Sequence, residues 1–107
     1  PMTKQEIRIL TLAKAQIGTA DIVYDIGAGT GSLSIEAALL AERGHVYALE
    51  RKVEGTALIA ENARKFAVEN LTVLQKEAPD GLEALPACKV AIIGMVVRIR
   101  SLMWQMT

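Results

Sequence analysis

Cysteine occurs once in these 107 residues, at Cys88. One thiol excludes an internal disulfide and a cysteine-rich metal cage, and it fits a reducing, cytoplasmic setting. Histidine also occurs once, at His45, with no cysteine nearby in sequence, so no thiol–imidazole nucleophile stands out and His45 reads as a strand-start residue. There is no excess of charge: lysine plus arginine number twelve, as do aspartate plus glutamate. Nothing global pulls the chain onto nucleic acid or a lipid surface. No run of about eighteen apolar residues and no leader pattern is present, so no membrane span is expected. Repeats, linkers and low-complexity tracts are lacking too. What the chain does have is 51% hydrophobic residues, enough to bury the core of one domain at a common domain size.

The most informative stretch is Val23-Tyr24-Asp25-Ile26-Gly27-Ala28-Gly29-Thr30-Gly31-Ser32-Leu33. A β-type run, Ile22–Ile26, feeds a glycine-rich turn, which feeds an apolar helical run from Leu33 to Ala41. Glycines at alternate positions let the backbone turn tightly and approach a ligand without Cβ clashes. The helix aims its free N–H groups and positive dipole end at whatever sits there. Asp25 stands just before the turn, where a carboxylate can accept hydrogen bonds from the loop or from a ligand ammonium. Strand, glycine loop and helix together make a nucleotide-type cofactor site. The letters are D-x-G-x-G-x-G rather than G-x-G-x-x-G, which makes a nicotinamide oxidoreductase a poor fit.

In chain order, Thr3-Lys4-Gln5-Glu6 reads as a capping box opening a helix to about Gln16. Ile7, Leu10, Ala13 and Ile17 would form its apolar face, with Gly18 as the stop. Thr3 has a purely structural reading as a cap. The helix after the glycine loop is expected to end at Arg43, before Gly44. A second strand, His45–Leu49, ends at Glu50, about twenty residues past the loop, where an acidic residue can hold both hydroxyls of a ribose; the competing reading is a solvated surface acid. Arg51–Ala67 forms a further helix, with Val53, Ala57, Leu58, Ile59, Ala60, Ala63 and Phe66 as its apolar stripe, and with Gly55 weakening its first turn by up to about 1 kcal/mol. Strand three is Leu71–Gln75. In Lys76-Glu77-Ala78-Pro79-Asp80, a carboxylate and backbone groups could meet an adenine ring, although a plain loop serves these residues equally well. Pro79 can open a short helix, Asp80–Leu85, and Val90–Ile93 is an apolar run suited to a buried parallel strand. Alternating strands and helices predict right-handed crossovers, a parallel sheet with helix-covered faces, and a ligand at the carboxyl ends of strands one and two.

The glycine motif resembles the first motif of Rossmann-like S-adenosylmethionine (SAM) methyltransferases. Further segments narrow the resemblance: Pro1-Met2-Thr3-Lys4-Gln5-Glu6-Ile7-Arg8, Asp25 through Ser32, Ser34-Ile35-Glu36-Ala37-Ala38, Val46 through Arg51, Asn62, Asn70-Leu71-Thr72-Val73 and Glu77-Ala78-Pro79. Together they resemble the decarboxylating precorrin-6Y / cobalt-precorrin-6B C15-methyltransferase family of corrin (vitamin B12) biosynthesis, over roughly residues 1–94. The resemblance implies an α/β fold: a Rossmann-like half-domain with parallel strand order 3-2-1-4, lacking the last three strands. It implies an enzyme that moves a methyl group from SAM to a meso carbon of a tetrapyrrole, leaving S-adenosylhomocysteine (SAH), and promotes loss of carbon dioxide from an acetate side chain. Cofactor contacts are implied at Thr3, at Gly27, Ala28, Gly29, Thr30 and Gly31, at Glu50 with Arg51 beside it, and at Ala78 with Glu77 beside it. Asp25 joins this set on its position. No catalytic base and no metal ligand set is identifiable. A SAM- or SAH-binding module without turnover is the alternative.

After Gly94 the family would continue with a second glycine-rich loop. Here Met95 to Thr107 instead reads as a tail outside the family pattern. Its codons fit a frameshift, since reading from the third base of Met95 into Val96 gives GGT, a glycine codon. The tail is expected to form a helix, with a strand over Val97–Arg100 as the alternative. In either form it would cover strand four, whose bare edge invites a homo-oligomer.

Overall fold

A computed structural model of the chain describes residues 1–94 and 96–99. The elements run α1 (Lys4–Ala15), β1 (Ile22–Ile26), α2 (Ser32–Leu40), β2 (His45–Leu49), α3 (Val53–Lys65), β3 (Leu71–Leu74), a 3₁₀ turn (Leu82–Ala84), β4 (Val90–Ile93) and β5 (Val96–Ile99). They build one sheet in the order β3-β2-β1-β4-β5. The first four strands are parallel, with Tyr24 level with Tyr47 on β2 and Ala91 on β4. The expected order 3-2-1-4 is therefore present, with one strand added.

That strand corrects the reading of the tail over residues 96–99, which form a strand rather than a helix. Gly94, at φ +55°, turns the chain back and β5 pairs antiparallel with β4. Val96 and Val97 are β-branched, and the free ladder of β4 offers them partners. The β4 edge expected to attract another chain is thus paired within this one. Residues 100–107 lie outside the described residues, and with them the rest of that expectation.

Helices α1, α2 and α3 form one layer, touching one another in sequence order. Val23, Val46, Val90 and Ile92 meet Leu33, Ala37 and Ala38 of α2 there. The expected covering of both faces is not seen among the described residues. Right-handed crossovers from β1 to β2 to β3 step in one direction and place their helices on one face; the return from β3 to β4 reverses direction and belongs on the other. That return contains only the 3₁₀ turn where the short helix Asp80–Leu85 was predicted. Tyr24, on the second face, donates its hydroxyl to the Pro86 carbonyl in this segment.

Helix ends and faces also differ from expectation. The capping box at Thr3 and Glu6 forms as predicted. Gln16, at φ +47°, is the left-handed stop, while Gly18 donates its N–H to Asp21 Oδ2 at 2.6 Å. Thr11 and Ala15 are the buried positions of α1, and Leu10 is 48% exposed. The helix packs through that strip because its neighbours are β5 and α2, where Arg8 Nε meets Glu36 Oε2 at 2.6 Å. Helix α2 stops at Leu40 rather than Arg43, since Asn70 Nδ2 takes the carbonyls of Ala38 and Ala41 at 2.9 and 2.7 Å. Of the α3 stripe only Ile59 and Ala63 are buried; Val53, Leu58 and Phe66 are exposed. No helix among the described residues is long and apolar enough to cross a membrane.

Candidate cofactor site

The site grows from the end of β1. Its last residue, Ile26, passes into Gly27 at φ +75°, then Gly29 at +62° and Gly31 at +84°. These left-handed values suit glycine because a Cβ would crowd the backbone. The turn is tied to the neighbouring strand: Gly27 and Ala28 donate their N–H groups to the Leu49 carbonyl at 2.9 and 3.2 Å. Apart from the adjoining residues of the chain, no heavy atom lies within 4 Å of a Cβ built on Gly27 or Gly29, whereas one on Gly31 would lie 2.8 Å from Ile59 Cγ1. The first two glycines thus keep open space beside the loop, and the third lets the loop pack against α3.

Glu50 follows β2 and turns its carboxylate back to this loop. Oε2 accepts from the Gly29 N–H at 3.2 Å, and Oε1 from the Arg51 and Lys52 N–H groups at 2.9 and 3.5 Å. Lys52 is still extended, at φ −91° and ψ 133°, so α3 starts at Val53 and not at Arg51. The carboxylate is half-buried and keeps lone-pair capacity for a hydroxyl donor.

A cleft of about 350 Å3 opens at the carboxyl ends of the strands. Gly27, Glu50, Arg51, Glu77 and Ala78 line it, so the structure brings together five residues that the sequence spread over three connections. Ile26, Leu49 and Ile93 add an apolar wall, and Lys76 a cation, none of which had been singled out. Their common signal is position: each sits at a strand end or in the loop after β3. A carboxylate beside an apolar wall and open space over two glycines fits a nucleoside, whose hydroxyls need an acceptor and whose base needs an apolar surface.

Thr3, Asp25, Ala28, Gly29, Thr30 and Gly31 do not line this cleft. The Thr3 hydroxyl is engaged in the capping box, accepting from Glu6 N–H at 3.1 Å. Thr30 Oγ1 pairs with Ser32 Oγ at 3.1 Å, and the Thr30 carbonyl accepts from Asn62 Nδ2 at 3.0 Å. Asp25 is 3% exposed and points into the helical layer, where Ser34 Oγ donates to it at 2.5 Å. Burial raises its carboxyl from 3.8 to about 6, against the opposing pull of that hydrogen bond. Alternation along β1 explains the direction: Val23 and Asp25 share the core side, and Tyr24 the other. Among the described residues, no group of three or more His, Cys, Asp or Glu is placed to hold a metal ion.

Comparison with known proteins bears on the family and the fold. The family described as the precorrin methyltransferase domain matches residues 1–106. The probable cobalt-precorrin-6B C(15)-methyltransferase (decarboxylating) of Sulfolobus acidocaldarius is 43% identical over 86 residues, covering 79% of this chain and 45% of that protein. The crystal structure of precorrin-6y C5,15-methyltransferase from Geobacter metallireducens superposes with a TM-score of 0.79 at 40% identity, over 84% of this chain and 47% of the other. Coclaurine N-methyltransferase, solved with N-methylheliamine and SAH, gives a TM-score of 0.63 at 28% identity, over 71% of this chain and 24% of that one. The chain spans about half the length of the precorrin relatives it matches. On the strength of the family match across nearly all of its residues, the chain belongs to the precorrin methyltransferase domain family.

Proposed function

We propose that this chain is the cofactor-binding part of a SAM-dependent methyltransferase of cobalamin biosynthesis, acting on a precorrin or cobalt-precorrin ring with loss of carbon dioxide from an acetate side chain. The observation that carries the reading is Glu50, held at the tip of β2 against Gly29 in a cleft with an apolar wall. When bound, SAM would supply an electrophilic methyl group. The protein's own part is binding and orientation. Glu50 would accept from the ribose hydroxyls, Ile26, Leu49 and Ile93 would exclude water from the base, and the turn at Gly27–Gly31 would take the remainder of the cofactor. Holding donor and acceptor in line supplies much of the rate in such transfers.

Calorimetric titration with SAH, with NAD as control, tests the cofactor assignment. SAH is expected to bind and NAD not to. Glu50→Ala should weaken SAH by about 1.5–3 kcal/mol, the worth of hydrogen bonds to a charged acceptor. A radiolabelled methyl-transfer assay on the tetrapyrrole tests the activity. Little turnover is expected from the 107-residue chain alone, and recovery when it is joined to the further segment of a longer relative. NAD binding with no response to SAH would overturn the assignment.

A further inference from the structure

Gly55 is anomalous as a helix residue. It lies in the first turn of α3, where glycine lowers helix stability relative to alanine. Its backbone has no left-handed φ to require glycine. The space around it gives the reason. A Cβ built on Gly55 would sit 2.6 Å from Glu50 Cγ, 2.9 Å from Cδ and 3.0 Å from Oε2. Each is far inside an ordinary carbon contact, so an alanine there would displace the Glu50 side chain from its place on the Gly29 N–H.

Two other residues on the same helix face act on the same loop. Ile59 fills the space over Gly31, and Asn62 Nδ2 holds the Thr30 carbonyl at 3.0 Å. Spacings of four and three place Gly55, Ile59 and Asn62 along one side of a helix. We propose that this face of α3 is the template that sets the nucleoside-binding geometry. Gly55 and Asn62 are then positioning residues: Gly55 by leaving a gap that only the Glu50 carboxylate fills, Asn62 by fixing the backbone between Gly29 and Gly31. Ligand selectivity follows, because a Glu50 held in one place distinguishes a ribose with both hydroxyls from a sugar lacking them. The inference rests on the cofactor reading above and extends it to residues outside the cleft.

The test uses the 107-residue chain with Gly55→Ala, Glu50→Ala, both together, and Asn62→Asp, which keeps the shape of Asn62 while removing its donor. SAH affinity, urea unfolding and hydrogen exchange at the Gly29 amide are measured for each. Gly55→Ala is expected to weaken SAH about tenfold and to expose the Gly29 amide to exchange, while its urea midpoint holds or rises, since alanine favours the helix. In the Glu50→Ala background the same change should have no further effect on affinity. Asn62→Asp should weaken SAH in a chain that stays folded. Unchanged affinity and Gly29 protection in Gly55→Ala would overturn the template while leaving the cofactor assignment standing. An equal loss with and without Glu50 would also overturn it, by showing that Gly55 acts through the fold. Absence of SAH binding by the unaltered chain would remove the cofactor reading, and the positioning role with it.

Discussion

The two faces of the sheet are built from the same strands yet live in different surroundings. On one, Val46 is fully buried beneath the helical layer, with Val23, Val90 and Ile92. On the other, Tyr24, Leu49 and Ala91 are buried at the centre of the sheet, but Ile93 is 46% exposed, Val96 is exposed beside it, and Tyr47, Thr72 and Leu74 are half-buried. Parallel strands normally have both faces covered and read as continuous apolar runs. Val90-Ala91-Ile92-Ile93 is written for burial on both sides. The helical layer meets that requirement on one side; on the other Ala91 is buried and Ile93 is not. The open side is where we expect the further segment of the longer relatives to pack.

The sharpest test of this contrast is a charge on each face. Val46→Asp would bury a carboxylate without a partner and should cost about 4 kcal/mol or more, enough to unfold a domain of this size. Ile93→Asp is expected to change stability by less than about 1 kcal/mol. Urea unfolding followed by circular dichroism checks both. Equal losses would show that the second face is covered in solution, by another copy or another chain.

A middle-sized effect belongs to Asp25, among the described residues the one acid sealed under the helices. Its folded carboxyl titrates near 6 against 3.8 unexposed to the fold. A raised acid favours the folded state below the unfolded value and loses that contribution as pH climbs through the folded one. The chain should therefore lose roughly 2–3 kcal/mol from this group between about pH 4 and 6. Asp25→Asn should flatten that part of the stability–pH curve. Parallel curves for the two proteins, measured by urea unfolding across this range, would place the titration elsewhere.

The smallest effect is at the rim of the covered side. Arg8 and Glu36 join α1 to α2, but their side chains are 26% and 44% exposed. Water screens such a pair, and a double-mutant cycle with Arg8→Ala and Glu36→Ala is expected to return a coupling of about 0.2–1 kcal/mol. A coupling above about 2 kcal/mol would mean that the rim is as dry as the centre.

Local chemistry is legible in the sequence. Thr3 and Glu6 announced the cap of α1, the spans of β1, β2 and β4 came from short apolar runs between turn signals, and the glycines around Ala28 and Thr30 announced a tight turn. Glu50, Arg51, Glu77 and Ala78 were expected at a common site, and they share the cleft with Gly27. These are properties of a few neighbouring residues, where sterics and hydrogen bonding act over one turn of chain.

Contacts distant in sequence decided the remainder. Asp25 faces Ser34 because the register of β1 in the sheet turns it into the core, which the motif could not reveal. The apolar stripes of α1 and α3 misled because a hydrophobic residue has no preference for a neighbour until packing supplies one, and here the layer left Leu10 and Phe66 in solvent. Residues 96–99 became a strand because β4 presented an unpaired ladder beside them. Gly55 had only a cost when read along the chain. Its use depends on a Glu50 atom 2.6 Å away, and that distance exists only once β2 and α3 have been brought together.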